Sequence, residues 1–218
     1  MSAAESRTDV TSGEVVRNKA VPGNEGEAPV LRPMRADAAR NHEKILAAAE
    51  ETFALEGVTV PIDLVAERAG VGIGTLYRHF PTKESLYEAI VMTRLTQLLE
   101  LADEYAKDPD AGQALYSFLH EFAGQAAQKK DLFEALSQAG IDFKARFSSL
   151  IDELMAKVDA LRSRAVDSGA VRSDVATADI IGLVVGSCHA AGQSGIDPAG
   201  LDRLINIVIA GIQPHAAT

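Results

Sequence analysis

Two short helical segments set apart by Ala69-Gly70-Val71-Gly72 constrain this chain more than any other feature in it. The first begins near Pro61 and supplies Leu64 and Val65 as inward-facing residues, with Ala66 small enough to let a second helix cross closely. Gly70 and Gly72 allow the sharp connection, because they have no Cβ to crowd the turn. On the second segment Leu76 and Phe80 are spaced i, i+4 and bury, which leaves Thr75, Arg78 and His79 on the opposite face. Tyr77 is amphipathic and can pack its ring while its hydroxyl reaches a phosphate. Pro81-Thr82-Lys83 then opens a further helix, and Lys83 adds a charge on the same side. These features imply a helix-turn-helix whose second helix is shaped to enter a DNA major groove.

The rest of the chain reads as helix, so the fold class is all-α: apolar residues recur at helical spacing, and alternating Val/Ile/Thr runs are absent. Residues 1–36 are rich in Ser, Glu, Gly, Asn and Pro without an apolar period, the composition of a flexible tail that cannot bury enough surface to offset its ordering entropy. Residues 37–83 form the DNA-binding unit, with the helix-turn-helix at about 60–79, and residues 84–218 a helical body. Helices are expected over 37–56, from Pro61 to before Gly70, over 73–80, and from Lys83 until Asp108-Pro109-Asp110 stops the fourth. Further stretches lie near 111–128, 130–139 and 142–167, and two last helices open at Thr177 or Asp179 and at Asp197-Pro198.

A net charge of −10 sits poorly with a phosphate-binding protein until the charge is located. Residues 32–83 carry seven basic and seven acidic side chains, whereas residues 84–218 carry eleven against nineteen, so the acid lies mostly outside the proposed reader. Cys188 is the single cysteine and no apolar leader or membrane-length stretch is evident, which points to a reducing cytoplasm. Enzymatic readings find little support. Cys188 and His189 are adjacent, hence about 100° apart on a helix, without an acid partner at i+3 or i+4. His42, His79, His120, His189 and His215 lack metal-ligand spacing, and no cofactor is called for.

The run from Ala69 to Phe80, Ala-Gly-Val-Gly-Ile-Gly-Thr-Leu-Tyr-Arg-His-Phe, followed by Lys83-Glu84-Ser85-Leu86, resembles the signature of the TetR family of bacterial transcriptional regulators. The resemblance implies a nine-helix protomer, a homodimer formed through its last two helices, binding to a palindromic DNA operator, and release on capture of a small-molecule effector by the C-terminal ligand-binding and dimerisation domain. It assigns Gly72, Ile73, Gly74, Thr75 and Arg78 to the groove-facing part and Tyr77, His79 and Lys83 to phosphates. One departure is visible. Where many members open the second helix with Thr or Ser, this chain has Val60-Pro61-Ile62, so Pro61 offers rigidity and nonpolar contact instead of a hydroxyl. With few long polar side chains near Ile73, specificity falls to Arg78, to thymine-methyl contact by Ile73 and to DNA shape.

In the body, Gly182-x-x-x-Gly186 with Val184, Val185 and Cys188, and the stripe Leu201, Leu204, Ile205 and Val208, are candidates for a two-fold helical interface; the alternative is that both helices close the protomer's own core. Phe118, Phe122, Phe133, Phe143, Phe147 and Met155 are candidates to line an effector cavity, with His120 and Gln125 as polar handles, or else they are simple core. An acidic body favours an apolar or weakly polar effector. The readings left open beside a repressor are an activator, a ligand-independent DNA binder, and a small-molecule enzyme or carrier with an idle DNA motif.

Overall fold

Ile45, Ala49 and Phe53 share one face of the first helix, and all three are buried, which sets that helix across the others of the N-terminal head. The computed structural model describes residues 31–127 and 142–214, and every regular element among them is a helix. The first, α1, spans Leu31–Glu56 and so starts six residues before Asp37. The run Met34-Arg35-Ala36 and Ala38-Ala39-Arg40 is made of strong helix formers, and Pro33 falls in the first turn, where a missing N–H costs nothing. Residues 31–36 therefore extend the helix that their composition had placed in the tail.

Helix α2 (Ile62–Ala69) ends at Gly70, whose φ of 65° is the left-handed value that a side chain would resist, and α3 (Ile73–His79) follows from Gly72. Thr82 caps α4 (Lys83–Tyr105): its side chain accepts from the Ser85 N–H at 3.0 Å, while the Ser85 hydroxyl accepts from the Thr82 N–H at 3.2 Å. One continuous core joins the head to the body, running from Ile45, Val65, Leu76 and Phe80 through Leu86, Ile90 and Leu98 of α4 to Leu115 and Phe118 of α5 (Ala111–Ala127).

The stretch expected as one helix over 142–167 is two: a turn, α6 (Phe143–Arg146), and α7 (Ser148–Asp167), parted at the buried Phe147 with φ −114° and ψ 17°. Helix α7 runs parallel to α4. Arg146 pairs with Glu88 at 2.8 Å, Lys157 with Asp103 at 2.5 Å, and Arg164 donates to the Ala106 carbonyl at 2.8 Å, so chain order rises together on both helices. Helices α8 (Thr177–Ser194) and α9 (Pro198–Ile212) close the body; Asp197 caps α9 through the Gly200 N–H at 2.8 Å, and Pro198 occupies its first turn. The helical stretch expected near 130–139 lies outside the described residues. No described helix is long and apolar enough to cross a membrane.

Candidate nucleic-acid interface

Leu76 and Phe80, 0% and 2% exposed, anchor α3 in the head, and their i, i+4 spacing fixes which side of the helix faces out. That outer side holds Ile73 and Tyr77, 41% and 46% exposed, with Arg78, Gly72 and Gly74 also exposed and Thr75 and His79 half-buried. Exposed aliphatic and aromatic side chains on a helix so firmly seated are surface held ready for contact, because burying Ile73 elsewhere would be favourable. A Cβ built on Gly72 or on Gly74 would meet nothing within 4 Å. Packing inside the protomer does not demand these glycines; they keep the start of α3 low, where a bulkier residue would hold an approaching surface off. Arg78 makes no ion pair with a described residue, so its guanidinium is available to a base edge or a phosphate. Pro61, exposed, precedes α2 without a side-chain cap.

Two candidates have partners within the protomer. Lys83 is half-buried and its Nζ donates to the Val60 carbonyl at 2.6 Å, 5.9 Å from the Tyr87 ring centre. Burial pushes its ammonium below the ordinary lysine value, with Glu84 opposing the shift. Lys83 thus ties the start of α4 to the approach to α2. Beside it the Tyr87 hydroxyl donates to the Val58 carbonyl at 2.5 Å, and burial pushes the phenol up to about 12. Between them the two side chains bond two carbonyls of the α1–α2 loop, those of Val58 and Val60, and so tie the approach to α2 to the first turns of α4.

His79 meets a partner that sequence spacing did not reveal. His42 of α1 lies with its ring centre 5.8 Å from that of His79 and stacks on Phe80 at 4.9 Å. Burial first, and the neighbouring His79 second, hold the His42 imidazole below its usual proton affinity, while Glu43 acts in the opposite sense. The sequence signal for His42 is only its position one turn before the buried Ile45 and Leu46. Tyr87 carried a clearer one, four residues after Lys83 on the same helical face.

A head in which one long helix packs on two short ones, with the second helix of its helix-turn-helix exposed and a further long helix leading into a helical body, is matched in known proteins. The family model described as "Bacterial regulatory proteins, tetR family" covers residues 45–90, and that described as "Transcriptional regulator SbtR-like, C-terminal domain" covers residues 110–214. A TetR transcription regulatory protein from Mycobacterium vanbaalenii is 34% identical over 84% of this chain and 100% of its own, with a TM-score of 0.68. The chain belongs to the TetR family of transcriptional regulators. A second TetR regulator, SCO0520 from Streptomyces coelicolor, is 29% identical with a TM-score of 0.67, covering 80% of this chain and 99% of its own. An HTH-type transcriptional regulator of Staphylococcus aureus is 33% identical over 94 residues, 41% of this chain and 51% of the relative. The chain thus spans about half the length of the curated relatives it matches. It is a regulator with a DNA-binding helix-turn-helix, and the two family models between them cover both the head and the body.

In this TetR protein the effector candidates divide into two groups. Phe118, Phe122 and Gln125 fall on one face of α5, the two phenyl rings stacked at 6.2 Å, and Phe147 is buried in the same core. The Gln125 Oε1 is buried and accepts no hydrogen bond among the described residues. His120 points the other way, to α9, where its ring contacts Asn206 Oδ1 at 3.2 Å and Asp202 at 3.6 Å. The Phe143 side chain and Phe133 lie outside the described residues.

The dimer candidates divide as well. Val184, Cys188, Leu201 and Ile205 are at most 7% exposed and belong to the protomer's own core, with Cys188 Sγ 3.5 Å from the Ala123 carbonyl. Leu204 and Val208 are half-buried, and Val185 is 46% exposed. The outward faces of α8 and α9 instead present Gly182, Leu183, Val185, Gly186 and Ile207, the last 67% exposed. Sequence periodicity marked these helices as apolar but could not say which apolar face the protomer itself would cover.

Proposed function

We propose that this TetR regulator is a ligand-released repressor that binds a palindromic operator as a homodimer. The observation that carries this reading is the outer face of α3, where Ile73, Thr75, Tyr77 and Arg78 stand around two glycines while Leu76 and Phe80 lock the helix in place. Ile73 meets a thymine methyl, Arg78 reads a guanine edge in the major groove, and Tyr77 and His79 reach phosphates. Lys83 acts on this contact through Val60, by holding α2.

Two-fold DNA needs a two-fold reader. The outward faces of α8 and α9 supply it: Gly182 and Gly186, where an added Cβ would meet nothing within 4 Å, let a second copy's helices approach closely, with Leu183, Val185 and Ile207 around them. The effector enters against Phe118, Phe122 and Phe147, and a hydrogen-bond donor on it pairs with Gln125 Oε1, whose unpaired burial costs about 1–3 kcal/mol. This chemistry selects a largely apolar molecule with at least one donor. Its arrival displaces α6 and α7, which the ion pairs Arg146–Glu88 and Lys157–Asp103 respectively bind to α4, and a tilt of α4 alters the separation of the two recognition helices. A few Å is enough to lose register with major grooves about 34 Å apart.

The test is a thermal-shift screen of uncharged metabolites followed by gel-shift titration on the duplex that the protein selects from genomic DNA. A compound that raises the melting temperature and releases the duplex supports the reading. A selected duplex bound by single protomers would overturn the homodimer, and a compound that melts the protein higher while tightening the duplex would overturn release.

A further inference from the structure

The head is tied to α4 at two places, on different turns of that helix. At the first, Lys83 and Tyr87 bond the Val60 and Val58 carbonyls, and the Tyr87 and Phe53 rings meet edge to face with their centres 5.3 Å apart. At the second, the Arg94 guanidinium pairs with Glu50 of α1. Chain order falls on α1 from Phe53 to Glu50 while it rises on α4 from Tyr87 to Arg94, so the two helices run antiparallel along this seam. Tyr87 and Arg94 are seven residues apart, about 10 Å at 1.5 Å per residue. A single tie would act as a pivot, whereas two ties at that separation fix an angle. Ile90 and Val91, between them on α4, belong to the apolar core, and apolar contact has no preferred direction.

The second tie sits where an ion pair adds little stability. The Arg94 and Glu50 side chains are 27% and 20% exposed, and the Arg94 Nε is buried with no acceptor among the described residues. Burial pushes the Glu50 carboxyl above the usual carboxylate value, and Arg94 acts against that shift. Dehydration therefore offsets much of the attraction, and an apolar pair of similar volume would hold the two helices together as well. What an apolar pair lacks is direction. Gln97, one turn further along α4, accepts from Arg94 Nη1 at 2.8 Å, which leaves the other arm of the planar fork aimed at Glu50.

We propose that Glu50 and Arg94 are positioning residues for operator specificity: their pair fixes the angle at which the head leaves α4 and so restricts the protein to one spacing of operator half-sites. The inference rests on the reading of α3 as the groove-entering helix of a homodimer. The two residues act through α1, which carries Glu50 on the seam with α4 and His42 against His79 at the end of α3. A slip of about 1 Å at Arg94 around a pivot at Tyr87 turns the head by about 6°. One added base pair moves a half-site by about 3.4 Å along the duplex and turns it by about 35° around the axis. Only a head free to swing on α4 can follow that displacement even in part.

The experiment measures binding to the palindrome that the wild-type protein selects from genomic DNA and to the same half-sites with one base pair removed from, or added at, the centre. Wild type is expected to bind the altered spacings about tenfold or more weaker, comparable to the effect of a mismatched base pair. The double variant Glu50→Leu, Arg94→Leu is expected to melt at or above the wild-type temperature and to narrow that gap to about threefold or less, while discriminating against single-base changes inside a half-site as wild type does. Glu50→Gln, which keeps the shape of the side chain and removes its charge, is expected to narrow the gap in the same direction. A role in packing alone would weaken binding at all spacings alike. Such a uniform loss, a variant that keeps the wild-type gap, or a wild type indifferent to spacing would overturn the proposal and leave the α3 reading intact, because the single-base changes carry that reading. Failure of the wild type to select any duplex would overturn both.

Discussion

Lys83→Met isolates what the ammonium does, because methionine keeps the length and apolar stem of the lysine and removes only its charge and donors. In the structure the Nζ donates to the Val60 carbonyl at 2.6 Å and lies 5.9 Å from the Tyr87 ring. A charge-assisted hydrogen bond of this kind contributes about 1.5–3 kcal/mol, and the cation over the ring adds about 0.5–1 kcal/mol. Against these stands the dehydration of a half-buried ammonium, visible as its lowered pKa. The net loss is therefore about 2 kcal/mol, which for a chain of this size lowers the melting temperature by about 4–8 °C. Thermal denaturation followed by circular dichroism reads it directly. Because Lys83 has its partner inside the protomer, the salt slope of operator binding should be the same in the variant. A slope shallower by about one unit per protomer with an unchanged melting temperature would refute the reasoning and make Lys83 a phosphate ligand.

Arg78→Ala should weaken operator binding by about 1–3 kcal/mol and relax preference at the base it reads, with the melting temperature within a degree or two of wild type, as seen by gel-shift titration on single-base operator variants. Gln125→Leu replaces an unpaired buried carbonyl by an apolar side chain and should leave stability unchanged or raise it by about 1 kcal/mol, measured by denaturant titration, while abolishing release by any effector found in the screen. Burial, with His79 beside it, holds the His42 imidazole below the ordinary histidine value of about 6.5, so on acidification the unfolded chain takes up that proton first. Stability should then fall as pH drops below about 6.5, and His42→Phe, which keeps the stack on Phe80, should flatten this loss in melting curves taken from pH 7 to pH 5. Ile207→Glu places a charge on a side chain that the protomer leaves 67% exposed, and should convert the protein to single protomers in sedimentation experiments.

Local grammar was the legible part of this molecule. Gly70 as the left-handed end of α2, Thr82 as the cap of α4, and Asp197-Pro198 at the head of α9 each act through neighbours within four residues, and each is where the pattern put it. The outer face of α3 was legible for the same reason, since Leu76 and Phe80 alone decide which side of so short a helix turns inward. Contacts between distant segments were not. Nothing near Lys83 announces the Val60 carbonyl, 23 residues away, and His42 meets His79 only because α1 crosses the end of α3. The break at Phe147 was hidden by the good helix formers Lys144, Ala145 and Arg146 that precede it, and the start of α1 by the polar tail before it. On α8 and α9 nearly every face is apolar or small, so periodicity marked the helices while leaving open whether Val184 or Val185 would remain outside; the packing of α5 and α7 decides it.

We propose above that the outer face of α3 reads base sequence, twice per assembly. Selection of fragmented genomic DNA by the purified protein, followed by sequencing and repeated with Arg78→Ala, tests it most directly. The expected product is a two-fold palindrome with half-sites about ten base pairs apart or a multiple of that, degraded in the variant at the base pair that Arg78 contacts. Enrichment of nothing beyond random sequence, or of one asymmetric site that the variant recovers equally well, would contradict it.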